Sequence, residues 1–174
     1  MGIFDMFRRG RPDDTTDWVS DSSQTCRFCL DQASLNDVCL GDAFDRFRWL
    51  GPAEGRSKGG PPDDYYYFAQ GLQVSASDGT VDHFILEFFQ KPEWQGDPRF
   101  RAFAEEITHQ GRQISLTPET TPEDLVSQIG EPNDHREQHG DSLSLHYSFN
   151  SATVSFDFVC DNEGKQVLHA VLVT

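Results

Sequence analysis

Two stretches carry residue types that could hold a metal ion: Cys26-x-x-Cys29 with Cys39, and His135-Arg136-Glu137-Gln138-His139. A structural zinc site takes four ligands, usually from two short paired clusters. The cysteine set lacks its second pair, because Cys39 stands alone and Cys160 lies far along the chain. On a strand, Cys26 and Cys29 would also point to opposite faces. The histidines have i, i+4 spacing but lack the Glu beside the first His that defines H-E-x-x-H, and they follow Pro132 in a polar stretch. That stretch reads as a surface loop. No metal and no cofactor are therefore expected.

Other chemistry is equally sparse. Gly55-Arg56-Ser57-Lys58-Gly59-Gly60-Pro61-Pro62 is glycine-rich, but it lacks G-x-x-x-x-G-K-[ST] and reads as a mobile surface loop, not a phosphate cradle. No G-x-S-x-G elbow or dinucleotide fingerprint occurs. No catalytic residue is assigned, and a non-enzymatic protein is expected. The alternatives are an enzyme whose serine, histidine and carboxylate meet only in space, or a structural or assembly adaptor.

Charge sets the partner class. With 29 acidic against 14 basic residues the net charge is −15, a field that repels nucleic acid and anionic membrane and speeds encounter with a basic protein. No apolar run approaches bilayer length, so stable membrane insertion is not expected, and a cytoplasmic setting is. The four cysteines are too few for a disulfide scaffold of this size.

The elements that would position any site come from periodicity and turn chemistry. Residues 1–25 read as a flexible tail, with Ile3, Phe4, Met6 and Phe7 ahead of Arg8, Arg9 and Arg11. Phe44, Phe47 and Leu50 recur on one face of an expected helix, capped by Asp42 and stopped at Gly51-Pro52. Thr121-Pro122-Glu123-Asp124 starts a second helix, which stops at Gly130-Glu131-Pro132. Tyr65–Ser75 and Thr80–Phe89 suggest a hairpin turning at Asp78-Gly79. Residues 106–116 suggest another turning at Gln110-Gly111, with a helix over 98–109 as the competitor. Leu143, Leu145, Tyr147 and Phe149 alternate with Ser142, Ser144, His146 and Ser148, giving a strand with one apolar and one polar face. The expected core includes Phe44, Phe47, Leu50, Leu72, Val74, Ile85, Val126, Ile129, Leu145, Tyr147, Val154, Phe156 and Val171.

The two glycine–proline stops, each followed by aromatic strands and an acidic-residue–glycine turn, suggest an internal duplication. The expected fold class is α+β, with two tandem repeats, each a helix packed on an antiparallel β-sheet. Repeat 1 covers 26–92, a connector 93–102, and repeat 2 covers 103–174.

The block Leu40-Gly41-Asp42, Leu50-Gly51-Pro52, Tyr67-Phe68, Gly71–Val74 and Asp78-Gly79 is echoed by Thr121–Leu125, Ile129–Pro132, His146-Tyr147 and Glu163-Gly164. It resembles the tandem α/β units of β-lactamase-inhibitor-protein-like folds and of small outer-membrane assembly lipoproteins. It also resembles bacterial proteins encoded beside polymorphic toxins and regarded as immunity proteins. The resemblance implies binding, not catalysis: a bacterial inhibitor that neutralises a basic toxin domain, a nuclease for instance, by occlusion. The expected partner-binding residues are Asp63, Asp64, Tyr65, Tyr67, Asp134, Glu137 and Asp141 along one rim of the sheet, with His146 and Asp157 on its polar face. Carboxylates there would steer a cationic partner and tyrosines would anchor it.

Overall fold

The computed structural model describes residues 15–57, 61–90 and 96–174. The expectations for Ile3–Phe7 and the arginines that follow, and for Lys58–Gly60 of the glycine-rich loop, fall outside the described residues.

Twelve strands and one α-helix are formed by the described residues. The first half holds β1 (Arg27–Cys29), β2 (Ser34–Leu35), β3 (Gly55–Arg56), β4 (Asp63–Tyr67), β5 (Leu72–Ser77) and β6 (Thr80–Glu87). The second holds β7 (Glu106–His109), β8 (Arg112–Ile114), α1 (Pro122–Ile129), β9 (Arg136–His139), β10 (Ser142–Phe149), β11 (Ala152–Cys160) and β12 (Gln166–Val173). They build an eight-stranded sheet, β3-β4-β5-β6-β12-β11-β10-β9, and a four-stranded sheet, β2-β1-β7-β8. All neighbours in the large sheet run antiparallel, while β1 and β7 pair in parallel.

The expected pair of helix-on-sheet repeats is not what forms. Strands take 42% of the residues and helix 12%, so sheets are the layers that bury the core. The reason lies in the spacing at residues 44–50. Apolar side chains every three residues stay on one face only if the turn holds three residues, and Phe44–Leu50 is accordingly a 3₁₀ helix with Phe44, Phe47 and Leu50 buried. Asp42 does not cap it. Its carboxylate instead accepts the Cys39 N–H at 2.9 Å and pairs with Arg46. Helix α1 does start as its sequence suggests, with a full Thr121–Asp124 capping box and Pro122 in its first turn. It is only eight residues long, however, and buries just Pro122 and Leu125, Val126 and Ile129 being half-buried. What the halves share is the order of strands in the large sheet, where β3-β4-β5-β6 meets β12-β11-β10-β9 at a β6–β12 seam.

Both stops are glycines with φ above zero, Gly51 at φ 81°, ψ −165° and Gly130 at φ 92°, ψ 178°. That region is the mirror image of extended backbone, not the left-handed helical one. The Asp78-Gly79 and Gln110-Gly111 turns take positive φ at both residues, as tight hairpins need. The first of these hairpins is shorter than its sequence suggests. Phe68–Gln70 form a 3₁₀ turn that breaks the expected long strand into β4 and β5.

The core lies between the sheets. Phe28 of β1 meets Phe84 of β6 edge-on at 5.9 Å, and His109 of β7 meets Phe149 of β10 at 5.7 Å. Phe44 closes one end, packed on Tyr65 at 4.5 Å and on Trp18 at 5.0 Å. Trp18 and Thr15 are buried, and the Thr15 hydroxyl accepts the Ala53 N–H. Residues 15–18 therefore belong to the body and not to a tail, because an indole of this size contributes more by filling the core than by staying in water. Of the expected core set, Ile85 is half-buried like Val126 and Ile129, in its case because it points to the opposite face of β6.

Candidate functional site

That opposite face of the large sheet is polar at its β9 end. In β10, Leu145 and Tyr147 face the core, so Ser144 and His146 face outward. The register places Ser144 opposite Asp157 of β11 and opposite Glu137 of β9, and places His146 opposite Ser155. Just before β9, His135 continues the ladder, its carbonyl accepting the His146 N–H at 2.9 Å. His135, Glu137 and His139 are two residues apart, so a strand projects all three from one face.

The resulting cluster is tightly connected. The imidazoles of His135 and His146 stack at 4.0 Å and 9°. His146 Nδ1 and Ser155 Oγ are hydrogen-bonded at 2.7 Å, and Ser144 donates to Asp157 at 2.6 Å. His139 Nε2 lies 2.8 Å from one oxygen of Glu137, and His146 Nε2 lies 3.8 Å from the other. Asp134 stands 3.1 Å from His135 Nδ1. The His139 hydrogen bond holds the Glu137 carboxyl below its ordinary pKa, with the positive histidine charge adding to it. Glu137 is thus an anion in the working pH range.

Ser155, His146 and Glu137 resemble a serine–histidine–acid relay in composition. The geometry argues against nucleophilic use. Ser155 is 5% exposed, so its hydroxyl cannot meet a carbonyl carbon, and the acid is 3.8 Å from its ring nitrogen, beyond hydrogen-bond range. The cluster is better suited to holding a cation or a polar partner group.

The expected binding residues divide into three groups. Glu137, His146, Asp157 and Asp134 come together on or beside β9–β11, and Asp141 is exposed in the β9–β10 turn. Asp64 faces outward on β4, where it accepts from the Ser75 and Ser57 hydroxyls. Tyr65 and Tyr67 do not serve as surface anchors: both are 1% exposed and lie in the core. Asp63 is buried as well, paired at 2.5 Å with Arg56, whose guanidinium stands 5.0 Å from the Tyr65 ring. The expectation there is out by one residue. Strand parity turns Tyr65 and Tyr67 inward and leaves Tyr66 half-exposed, stacked on Phe68 at 5.5 Å. Nor do the two acidic stretches share one rim. β4 and β9 are six strand positions apart in the sheet, about 29 Å at the usual inter-strand spacing.

His135 and His139 are the pair that the sequence offers as metal ligands and that the loop reading sets aside, and Ser144 and Ser155 carry no sequence signal for a site. The available signal was the alternation His135-x-Glu137-x-His139, which converges on a strand but not in the loop expected there. The grooves elsewhere offer less. The one lined by Phe103, Glu105, Gln113, Ile114, Leu116 and Pro118 presents a single titratable side chain, and the one beside α1 has Glu123, Glu131 and Arg136. Among the described residues no helix is long and apolar enough to cross a membrane. Comparison of the chain with protein-family models, with curated proteins and with solved structures finds no match.

Proposed function

We propose that this chain is a protein-binding module that occludes a basic partner, of the kind an immunity or inhibitor protein uses to neutralise a toxin domain. One observation carries the reading. The terminal strand β9 of the large sheet is exposed along its whole length, and exposed Glu131, Asp134, Glu137 and Asp141 border it. An edge strand offers backbone donors and acceptors to a partner, and carboxylates around it favour a cationic one. The net charge of −15 extends that preference to long range. The toxin and the nuclease class rest on the sequence resemblance alone.

The test uses the chain as bait in its native cell extract, followed by association kinetics with the captured protein. Asp134 and Asp141 are both exposed, so the D134K/D141K variant can be compared with the parent at low and high salt. A basic captured chain whose association slows with salt, and slows again in the variant, supports the reading. Capture of an acidic chain, or rates indifferent to salt and to the variant, rejects it.

A further inference from the structure

We propose that His135, Glu137 and His146 form a binding site for a divalent transition-metal ion, with Zn²⁺ the best match. One donor atom from each residue lies within 4.8 Å of the others. Four-coordinate zinc with ligands at 2.0–2.1 Å separates neighbouring donors by about 3.4 Å, and the exposed His135 ring, swung out of its stack on His146, would bring the set to that spacing. The His146 Nε2–Glu137 Oε2 distance of 3.8 Å is already near that value. It is too long for a hydrogen bond, yet it suits two atoms bridged by a metal.

Each donor is prepared from outside. Ser155 Oγ engages His146 Nδ1 at 2.7 Å, which leaves Nε2 as the nitrogen for a ligand. That Nε2 is buried and makes no hydrogen bond among the described residues. A buried ring nitrogen without a partner is costly, and coordination would satisfy it. His139 occupies one Glu137 oxygen at 2.8 Å and leaves the other facing His146. Asp134, 3.1 Å from His135 Nδ1, brings a further negative charge to the cluster. Partners of this kind orient metal-bound imidazoles and carboxylates.

The donor set selects the ion. Two imidazoles and one carboxylate suit zinc and its neighbours, whereas magnesium and calcium take oxygen ligands. Three protein donors leave a fourth position for water or a side chain of a bound protein. The site lies on the exposed strand β9 and the outward face of β10, where such a ligand can reach it.

The experiment is calorimetric titration of the EDTA-stripped, dialysed full chain with ZnCl₂, with Co²⁺ spectra reporting coordination. Cysteine is the competing ligand, so the same titration is run on Cys29→Ser. The expected result is one equivalent bound, retained in Cys29→Ser. Glu137→Gln should weaken binding more than about a hundredfold, beyond the usual cost of losing an outer-shell partner, and Ser155→Ala by about 10–100-fold. Glu137 is exposed, so its variant tests the site without endangering the fold. His146→Gln, checked for folding by circular dichroism, should also lose the four-coordinate cobalt band. Binding unaffected by Glu137→Gln and by folded His146→Gln, binding lost only in Cys29→Ser, or no binding at all would overturn the proposal.

Discussion

The two stop glycines permit a controlled test of how the N-terminal segment is held. Gly51 and Gly130 share a backbone region that only glycine adopts easily, and leaving it for alanine costs about 1–3 kcal/mol at either position. Their surroundings differ. A Cβ on Gly51 would stand 2.9 Å from Ser20 Cβ and 3.0 Å from its backbone nitrogen, whereas a Cβ on Gly130 would meet nothing within 4 Å. Ser20 cannot simply retreat, because Asp21 donates to the Trp49 carbonyl at 2.9 Å and Trp18 is wedged against Phe44. Crowding of this sort adds about 1–3 kcal/mol. Gly130→Ala should therefore cost about 1–3 kcal/mol and Gly51→Ala about 2–6 kcal/mol. For a chain of this size each kcal/mol lowers Tm by about 2–4 °C, so the Gly51 variant should melt several degrees below the Gly130 variant. Adding Ser20→Gly should recover part of that gap, since the two sites are in contact. Far-UV circular dichroism melts of the four proteins measure it. Equal midpoints for the two alanine variants would refute the docking of residues 18–21 on the 3₁₀ helix, and parental midpoints for both would refute the positive φ angles.

Further predictions follow from burial and charge. Tyr65→Ala should lose about 3–5 kcal/mol in urea denaturation, as for other large core aromatics, while Tyr66→Ala should stay within about 1 kcal/mol; the reverse ranking would show that strand parity in β4 is misread. Burial pushes the Cys26 thiol up to about 12, so at pH 8 it should react with a disulfide reagent only after unfolding, and a rapid reaction of all four cysteines in the native protein would contradict its placement. Hydrogen bonds from Arg99, with its charge, hold the Asp97 carboxyl down to about 2. Because the folded pKa lies below the unfolded one, its stabilising contribution is complete above about pH 4 and is lost as pH falls towards 2. NMR titration should find Asp97 low in the parent and higher in Arg99→Ala, though still below its ordinary value because the residue 99 N–H keeps its bond to the carboxylate; no difference would remove the guanidinium as the cause.

Sequence carried strand positions better than it carried layers. Alternation in residues 142–158 is strict because each strand has one face on the core, so Leu145, Tyr147, Val154 and Phe156 were legible as buried. The capping box at Thr121 was legible because its chemistry is local. The helical reading of residues 44–50 failed because a three-residue apolar spacing was taken for an α-helix, and with it went the helix layer. Much of the site was legible: Glu137 and His146 were singled out for a protein partner, and His135 with His139 was weighed as a metal pair and set aside as a surface loop. What the sequence hid is that these residues lie on or beside β9, whose four residues are all exposed and carry no apolar signal. Only cross-strand pairing with β10 makes residues 136–139 a strand, and pairing between distant segments has no local signature. The parity of Tyr65, Tyr66 and Tyr67 was equally unreadable, because three identical aromatics in a row show no alternation.

The seam between β6 and β12 has a consequence for how the molecule is made. β12 is the last strand in sequence, yet it sits in the middle of the large sheet, bonded to β11 on one side and to β6 on the other. Before it docks, the first four strands end at β6 with an apolar, unpaired edge containing Phe84 and Leu86, and nothing synthesised nearby can cover it. The second meander, folded alone, would present Val171 and Val173 the same way. Neither half is a finished unit, and the closing contact joins residues more than eighty positions apart, which makes folding slow relative to a hairpin ladder of the same length. Fragments cut between β6 and β7 should therefore seek each other, or their own copies, through that one pair of strands.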